Sequence, residues 1–460
     1  MYNHEPTEYA CPFCQLIAGI QDEHTLSAPS DVIYHDEAVT ALIGSHQWPQ
    51  NPGNVIIVSN EHFENLYDLP VRYATDIHRV ARMVALAMKA VYGCDGVSTR
   101  QHNEPAGNQD VWHYHLHVTP RYEGDQFYSS QREFMPAEDR ARHAARLKSY
   151  LEARPWLANG TGPDRYDVAF LGNYTKDTIV SASGTRTVDG GAFNYGAHVA
   201  AALGLNVAAV THLAREDWHV VDGLTALGVD VLARATSSST CLRLEYPSAN
   251  VDERIIHVTS TANPFSPAEV RQLRARAIVV GASLRGEVGL DVIETLAAKD
   301  SLLAADVQGF VRAARDGILQ YELWSEKEAI LSYVDILKAD AVEAEMLTGR
   351  GDIHQAARIL SGLGPAEIVL THREGVLVYA DGTYDEAGFF PRELVGRSGR
   401  GDTCLAAYVA RRLDHSPAEA TLWAAAATSL KMEAEGPFCR DAADIEKLIQ
   451  KRYHCGIDKG

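Results

Sequence analysis

Trp112-His113-Tyr114-His115-Leu116-His117-Val118 places a histidine at every second position, with an aromatic or aliphatic residue between. On a strand, a period of two turns residues 113, 115 and 117 to one face and Tyr114 and Leu116 to the other. Such a face has two chemical uses. Three imidazoles can cage a metal, or one can attack phosphorus while its neighbours hold the phosphoryl oxygens. Outward from this stretch, Asn54-Val-Ile-Ile-Val-Ser59 reads as another strand, and residues 73–92 carry helical periodicity. Strands gathered around one helix predict a compact α+β domain.

Further along, a charged helical stretch over 136–153 gives way to Pro155-Trp-Leu-Ala-Asn-Gly-Thr-Gly-Pro163. Pro and Gly at that density stop a helix and mark a seam. Tyr166-Asp-Val-Ala-Phe-Leu-Gly172 then opens a second domain as a buried strand. After it, strands at 277–281, 304–306 and 367–371 alternate with helices such as 402–413, a pattern that predicts a mostly parallel α/β sheet with ligands at the strands' carboxyl ends. The expected division is residues 1–155, a linker over 156–164, and residues 165–460.

The 460 residues carry a formal charge of -19. Residues 1–160 hold 12 Lys and Arg against 20 Asp and Glu, a net -8, so the remainder holds -11. A surface that acidic repels nucleic acid and anionic lipid and favours small ligands held by local donors. No run of about 18 apolar residues and no signal pattern occurs. Seven cysteines, an odd number scattered over the chain, make no disulfide framework and point to a reducing cytoplasm.

The surroundings of the three histidines, from His102-Asn103-Glu104-Pro105 through Gln109-Asp110 to Pro120-Arg-Tyr-Glu-Gly-Asp125, resemble the histidine-triad (HIT) superfamily, and the likeness runs from about Cys11 to Tyr128. The resemblance implies that His115 is the nucleophile, forming a nucleotidyl-imidazole intermediate. An ordinary imidazole pKa of about 6.5 leaves it largely neutral at pH 7. It further implies that His117 donates to a phosphoryl oxygen, that Gln109 and Asp110 meet the leaving group and phosphate, and that Asn103 lies near ribose and phosphate. In this family Cys11-x-x-Cys14 is the start of a structural zinc knuckle, completed here by His62 and His113. One departure is the loop Leu42-Ile-Gly-Ser-His-Gln-Trp48-Pro49, which lacks the family's ribose-gripping acid; its Trp48 is either a base-stacking ring or a packed aromatic.

A second constellation is Gly396-Arg-Ser-Gly399-Arg400-Gly401-Asp402-Thr403-Cys404 ahead of a small-residue helix. Glycines let backbone N–H groups converge and the helix start adds positive potential, which together make an anion hole. Residues 165–440 resemble the ribokinase-like (PfkB) carbohydrate kinases. The resemblance implies Asp402 as general base, Gly399, Arg400 and Gly401 around the transferred phosphate, and Thr371 and Gly375 at the nucleotide. It also implies Asp177 with the lid hinge Gly190-Gly191 at the acceptor, and Glu343, in Lys338-Ala-Asp340-Ala-Val-Glu343, in the magnesium region. Departures are Arg400 for Ala, Asp340 for Asn, and His372-Arg373 for the glycine after Thr371. Arg400 is either an extra phosphate clamp or a side chain turned to solvent, the clamp being the favoured reading.

The expected fold is therefore two domains: an N-terminal α+β histidine-triad fold and a C-terminal α/β ribokinase-like fold with a small lid. The expected function is bifunctional: nucleotidyl-phosphate hydrolysis or transfer through a covalent histidine, and ATP- and Mg²⁺-dependent phosphorylation of a sugar, nucleoside or cyclitol hydroxyl. In the alternative, the first domain is a nucleotide-binding regulatory module. Both families imply a homodimer.

Overall fold

The computed structural model describes residues 2–21, 25–152, 154, 157, 165–181, 184–246, 255–396 and 398–453. The chain divides into two compact units, Met1–Pro163 and Asp164–Gly460. Apart from Leu157, the linker expected over 156–164 lies outside the described residues.

The first unit is built on a five-stranded antiparallel sheet, in the spatial order Val32–His35, Val39–Ile43, Val55–Ser59, His115–Arg121, Gly96–Gln101. The helix Val71–Tyr92 covers one face, burying Ile77, Val80, Val84, Ala87, Met88 and Val91. It stops at Gly93, whose φ of 59° ends the helix in the left-handed region. A second helix, Ala137–Glu152, adds Ala144, Leu147 and Leu151 to the same core.

The strand expected from Trp112 begins only at His115. The backbone bends before it: His113 N donates to Val111 O (2.9 Å) and Tyr114 N donates to Phe63 O (2.6 Å), so neither amide joins the ladder. Only His115 and His117 therefore share a strand face, and His113 is released to point elsewhere.

In the second unit, nine strands form one sheet in the order Asp230–Thr236, Val207–Ala214, Tyr166–Leu171, Ala275–Val280, Leu302–Asp306, Ile336–Asp340, Glu367–Thr371, Gly375–Ala380, Thr383–Gly388. The first seven are parallel and the last two antiparallel. Strands buried on both faces need a core on each side, and two large apolar clusters supply it. The expected lid is a second sheet of six strands, Gly184–Gly190, Thr175–Ser181, Thr240–Glu245, Ile255–Ser260, Ile318–Tyr321 and Arg312–Arg315.

Strand order reverses between Tyr166–Leu171 and Ala275–Val280, the switch point at which open α/β sheets bind ligands. Buried Glu287 ties that point together, accepting from Asn173 N (2.5 Å) and Ser283 N (2.9 Å). Among the described residues no helix is long and apolar enough to cross a membrane.

Each apolar cluster is confined to one unit: the clusters around Val84 and Phe13 to the first, those around Val279, Leu303 and Leu244 to the second. A core of its own is what lets a domain fold alone. Residues 1–163 and 164–460 expressed separately should each melt cooperatively by circular dichroism; a molten first fragment would show that its core is incomplete.

Candidate active sites

On the strand His115–Arg121, the side chains of His115 and His117 are 2% and 5% exposed, with ring centroids 5.1 Å apart. His115 Nδ1 lies 2.7 Å from the carbonyl of His113. A carbonyl only accepts, so Nδ1 carries the proton and Nε2 keeps its lone pair. Burial pushes the His115 pKa below its ordinary value, and the His117 pKa well below. His117 Nδ1 accepts from the Asn54 side-chain amide (3.4 Å), whose Oδ1 is already taken by Thr119 Oγ1 (2.8 Å). The His117 proton then sits on Nε2, where it can be donated. One ring offers a nucleophilic nitrogen and its neighbour an N–H donor.

Asp110 Oδ1 stands 3.8 Å from His115 Nε2, while its Oδ2 takes a 2.8 Å bond from Arg132. Gln109 is differently engaged. Its amide donates to Glu64 O (2.6 Å) and Val111 O (3.1 Å), and its Oε1 accepts from Glu104 N (2.8 Å). Asn103 likewise braces its loop, accepting from Leu66 N (2.8 Å) and donating to Gln101 Oε1 (2.8 Å). Trp48, 7% exposed, packs on Phe127 with centroids 4.5 Å apart, so it is a packed aromatic.

His113 turns away to a different cluster. Its Nδ1 lies 3.2 Å from Cys11 Sγ and 3.5 Å from Cys14 Sγ, and His62 Nδ1 lies 3.3 Å from Cys14 Sγ. All four ligand atoms fall within 4.8 Å of one another. Ideal tetrahedral zinc, with bonds near 2.3 Å to sulfur and 2.0–2.1 Å to nitrogen, spaces S and N by about 3.5 Å. The two far nitrogens have acceptors, Ser59 O for His113 (3.0 Å) and Glu5 Oε2 for His62 (2.9 Å). In the neutral rings the proton then sits on the far nitrogen and the near one turns its lone pair to the sulfurs, the arrangement a metal ligand requires. The residues fit a tetrahedral metal.

In the second unit, the helix Arg400–Arg412 starts from Gly399 at φ 72°, where a Cβ would fall 2.2 Å from the Tyr195 ring. Gly401 is required for another reason: a Cβ there would lie 2.6 Å from Lys338 Nζ. A buried ammonium thus sits directly beneath the helix start. It donates to Asp306 Oδ2 (2.8 Å), both groups being almost wholly buried. Burial opposes the charge on Lys338, but Asp306 and Glu343 overcome it and hold its pKa above the usual lysine range.

Asp402 occupies the first turn of this helix. Burial raises its carboxyl to about 6, Asp306 pushing the same way while Lys338, Arg312 and Lys431 pull it down. Glu343 and Asp340 cap the neighbouring helix Ala341–Thr348 reciprocally (2.9 and 2.8 Å). Glu343 Oε1 is buried with no partner among the described residues, and burial lifts its pKa to about 7. An orphaned carboxylate oxygen beside Asp306 suits a divalent cation.

Asp177 and the hinge come together on the lid: a Cβ on Gly190 would lie 3.2 Å from Asp177 Oδ2, and Gly191 takes φ 98°. Tyr195, on the helix Ala192–Ala202 that follows, feels the charges of both Asp402 and Asp177, and its hydroxyl is buried with no partner among the described residues. Thr371 ends its strand buried. His372 N donates to Gly375 O (2.9 Å), closing the turn that stands where a glycine was expected. His372, Arg373, Gly375, Phe389, Phe390 and Arg400 are among the walls of a cavity of about 660 Å³.

Sequence reasoning missed Asn54, Arg100 and Arg132 around the histidines, and Lys338, Arg312, Lys431 and Tyr195 around Asp402. Lys338 alone had a local signal, two residues before Asp340 at a strand end.

Comparison with known proteins agrees with both halves. The HIT domain family matches residues 25–124, and the pfkB family of carbohydrate kinases matches residues 166–437. The chain belongs to the pfkB carbohydrate kinase family and carries a HIT domain ahead of the kinase domain. Residues of the first domain are 31% identical to "Protein hit" of Bacillus subtilis (strain 168) over 118 residues, which is 25% of this chain and 75% of that protein. The second resembles a pyrophosphate-dependent kinase in the ribokinase family solved with a pyrophosphate analog and myo-inositol, at 34% identity and TM-score 0.57, over 61% of this chain and 99% of that one. A pyrophosphate-dependent myo-inositol-1 kinase converted to a myo-inositol-3 kinase by two substitutions is also 34% identical, with TM-score 0.56 over 62% and 99%.

Asp402 should titrate near pH 6 when followed by its carboxyl ¹³C shift. Lys338→Met removes a positive neighbour that favours the carboxylate, so the midpoint should move up; a midpoint at the ordinary carboxylate value of about 4, or a downward move, would contradict the burial described.

Proposed function

We propose that this is a bifunctional enzyme. Its first domain hydrolyses or transfers nucleotidyl groups through His115, and its second phosphorylates a cyclitol hydroxyl with pyrophosphate as donor. The observation that carries the first half is the pinned Nδ1 of His115 beside the N–H of His117. Nε2 attacks the α-phosphorus, the P–O or P–N bond breaks with its electron pair passing to the leaving group, an amine taking its proton from solvent, and His117 donates to a phosphoryl oxygen. Water then attacks the same phosphorus, the P–Nε2 bond breaks, and the nucleoside monophosphate departs.

For the kinase half, the carrying observation is Asp402 at a helix start underlain by Lys338. The carboxylate takes the acceptor's hydroxyl proton and the oxygen attacks the terminal phosphorus. Inorganic phosphate leaves while backbone N–H groups and nearby cations absorb the charge. Asp177 and Tyr195 hold the acceptor. Glu343 and Asp306 would hold a magnesium ion, which supplies charge neutralisation on the donor. Pyrophosphate is favoured because the 34–35% identical relatives that are matched over 99% of their length are pyrophosphate-dependent, and because Lys338, Arg312, Lys431 and Arg400 concentrate positive charge where a compact polyanion needs it. ATP is the second reading, favoured by a roomy 660 Å³ cavity walled by Phe389 and Phe390. Zinc is proposed for Cys11, Cys14, His62 and His113.

With myo-inositol as acceptor, kcat/KM should favour pyrophosphate over ATP by about tenfold or more, and Asp402→Ala should lose about 10²–10⁴-fold in kcat. A preference for ATP selects the second reading, and an undiminished Asp402→Ala removes that residue from the chemistry. His115→Ala should abolish release of nucleoside monophosphate from adenosine 5′-phosphoramidate and leave kinase turnover unchanged. If the wild-type chain binds that substrate without turning it over, the first domain is a regulatory module.

Elemental analysis should find about one zinc per chain. Cys14→Ser should lose it and lower the melting temperature of residues 1–163, whereas full stability without zinc would rule out a structural metal.

A further inference from the structure

Two arginines flank the histidine pair, and the proposed chemistry at His115 does not account for them. Arg100 lies directly across the ladder from His117, the two residues being paired on adjacent antiparallel strands. Cross-strand partners present their side chains on one face with Cβ atoms about 4.5–5.5 Å apart. Arg100 lies over the rings of Trp48 (5.9 Å) and Phe127 (5.4 Å), and among the described residues no carboxylate or other acceptor bonds its guanidinium. Among those residues its five N–H donors are unspent. Arg132 lies over the same aromatic platform, 6.0 Å from the Trp48 ring, and bonds Asp110, the residue 3.8 Å from His115 Nε2.

Counting charge at this mouth gives +1 for Arg100, +1 for Arg132 and -1 for Asp110, a net +1 in a domain whose overall charge is -8. Arg132 also cancels the carboxylate that would otherwise repel an anion approaching His115. A nucleotide carrying an amine on its α-phosphorus brings one negative charge, and the single N–H of His117 meets it. A second anion is what the additional arginines fit, since guanidinium matches the geometry of phosphate and sulfate oxygens.

We infer that Arg100 and Arg132 form an anion subsite for the leaving group, so that the histidine site takes nucleotides whose α-phosphorus bears a phosphate or sulfate in preference to a neutral amine. This rests on the nucleotidyl-transfer reading of His115. In the step, the His115 Nε2–P bond forms and the bond from phosphorus to the bridging oxygen breaks. The phosphate or sulfate leaves with the electron pair as an oxyanion seated on the two arginines. Water's oxygen then bonds to phosphorus, the P–N bond breaks, and the displaced proton goes to solvent.

The test uses the full chain with three adenosine probes: adenosine 5′-phosphosulfate, diadenosine triphosphate and adenosine 5′-phosphoramidate. The wild-type kcat/KM should favour the two anionic leaving groups by about tenfold or more, with the better of the two telling sulfate from phosphate. Arg100→Met should lose about tenfold or more on those two and under about threefold on the phosphoramidate, while Arg100→Lys keeps much of the preference; Arg132→Met, which also uncovers Asp110, should lose activity on all three but more on the two anionic leaving groups. Equal losses on all three probes, or a wild-type preference for the phosphoramidate, would overturn the subsite.

A binding arm separates this from the chemistry. On a His115→Ala background, the chain that keeps Arg100 should bind ADP more tightly than the chain that also carries Arg100→Met by about tenfold, while AMP binds both alike. Comparing the two chains cancels any nucleotide bound by the kinase domain. Selective ADP binding with no turnover of any probe by the wild-type chain would refute His115 as nucleophile and keep the subsite; identical ADP affinities refute the subsite whatever the turnover.

Discussion

Phosphate can be held by a chain of net charge -19 only where positive potential is gathered locally and kept out of reach of the surrounding carboxylates. Both domains meet this constraint, by different means. In the first, antiparallel pairing sets Arg100 beside His117, and an aromatic pair supports two guanidinium groups. In the second, a parallel sheet delivers Lys338 to a strand end beneath a helix start. Neither site depends on the global field, which is of the wrong sign.

The kinase site also shows what concentrating charge costs a fold. Asp306, Lys338, Glu343, Arg312 and Asp402 influence one another, and burial raises the carboxyl of Asp402 to about 6 and that of Glu343 to about 7. Taking ions from water is expensive unless each finds a partner. The Lys338–Asp306 bond settles one pair, while Glu343 keeps an oxygen unbonded. That oxygen is the one the proposed magnesium ion would engage, and it lies at the strand ends to which the sheet topology directs ligands.

Much of this was legible in the sequence because its signals are local. The period of two around His115, the helical period over 73–92 and the alternation of elements after Tyr166 come from a few neighbouring residues. The Gly399–Asp402 turn is likewise contiguous, and strand 367–371 has the bounds expected of it. What was not legible depends on distant partners. That Gln109 and Asn103 spend their amides on loop carbonyls and amides follows from Glu64 and Leu66, some forty residues away. Lys338, Lys431 and Arg312 converge on Asp402 from separate elements, and the six strands of the lid are drawn from residues 175 to 321. The bend that starts the histidine strand at His115 was hidden too, since Trp112 and His113 satisfy the alternating pattern whether or not their amides join the ladder.

That bend connects the two functions of the pattern. Because His113 leaves the strand, its ring faces Cys11, Cys14 and His62, while its carbonyl stays beside the next histidine and accepts the Nδ1 proton of His115. Metal-site geometry and nucleophile tautomer are thus fixed by one residue, through its side chain and its backbone respectively. A metal held there would stiffen the carbonyl that keeps Nε2 unprotonated, and the cysteine turn at residues 11–14 would then bear on the proposed phosphorus chemistry without touching substrate. Three histidines at alternate positions are in this sense two kinds of group. One is the proposed metal ligand, and two are rings whose opposite protonation, a free lone pair on one and an N–H on the other, suits the proposed attack on phosphorus.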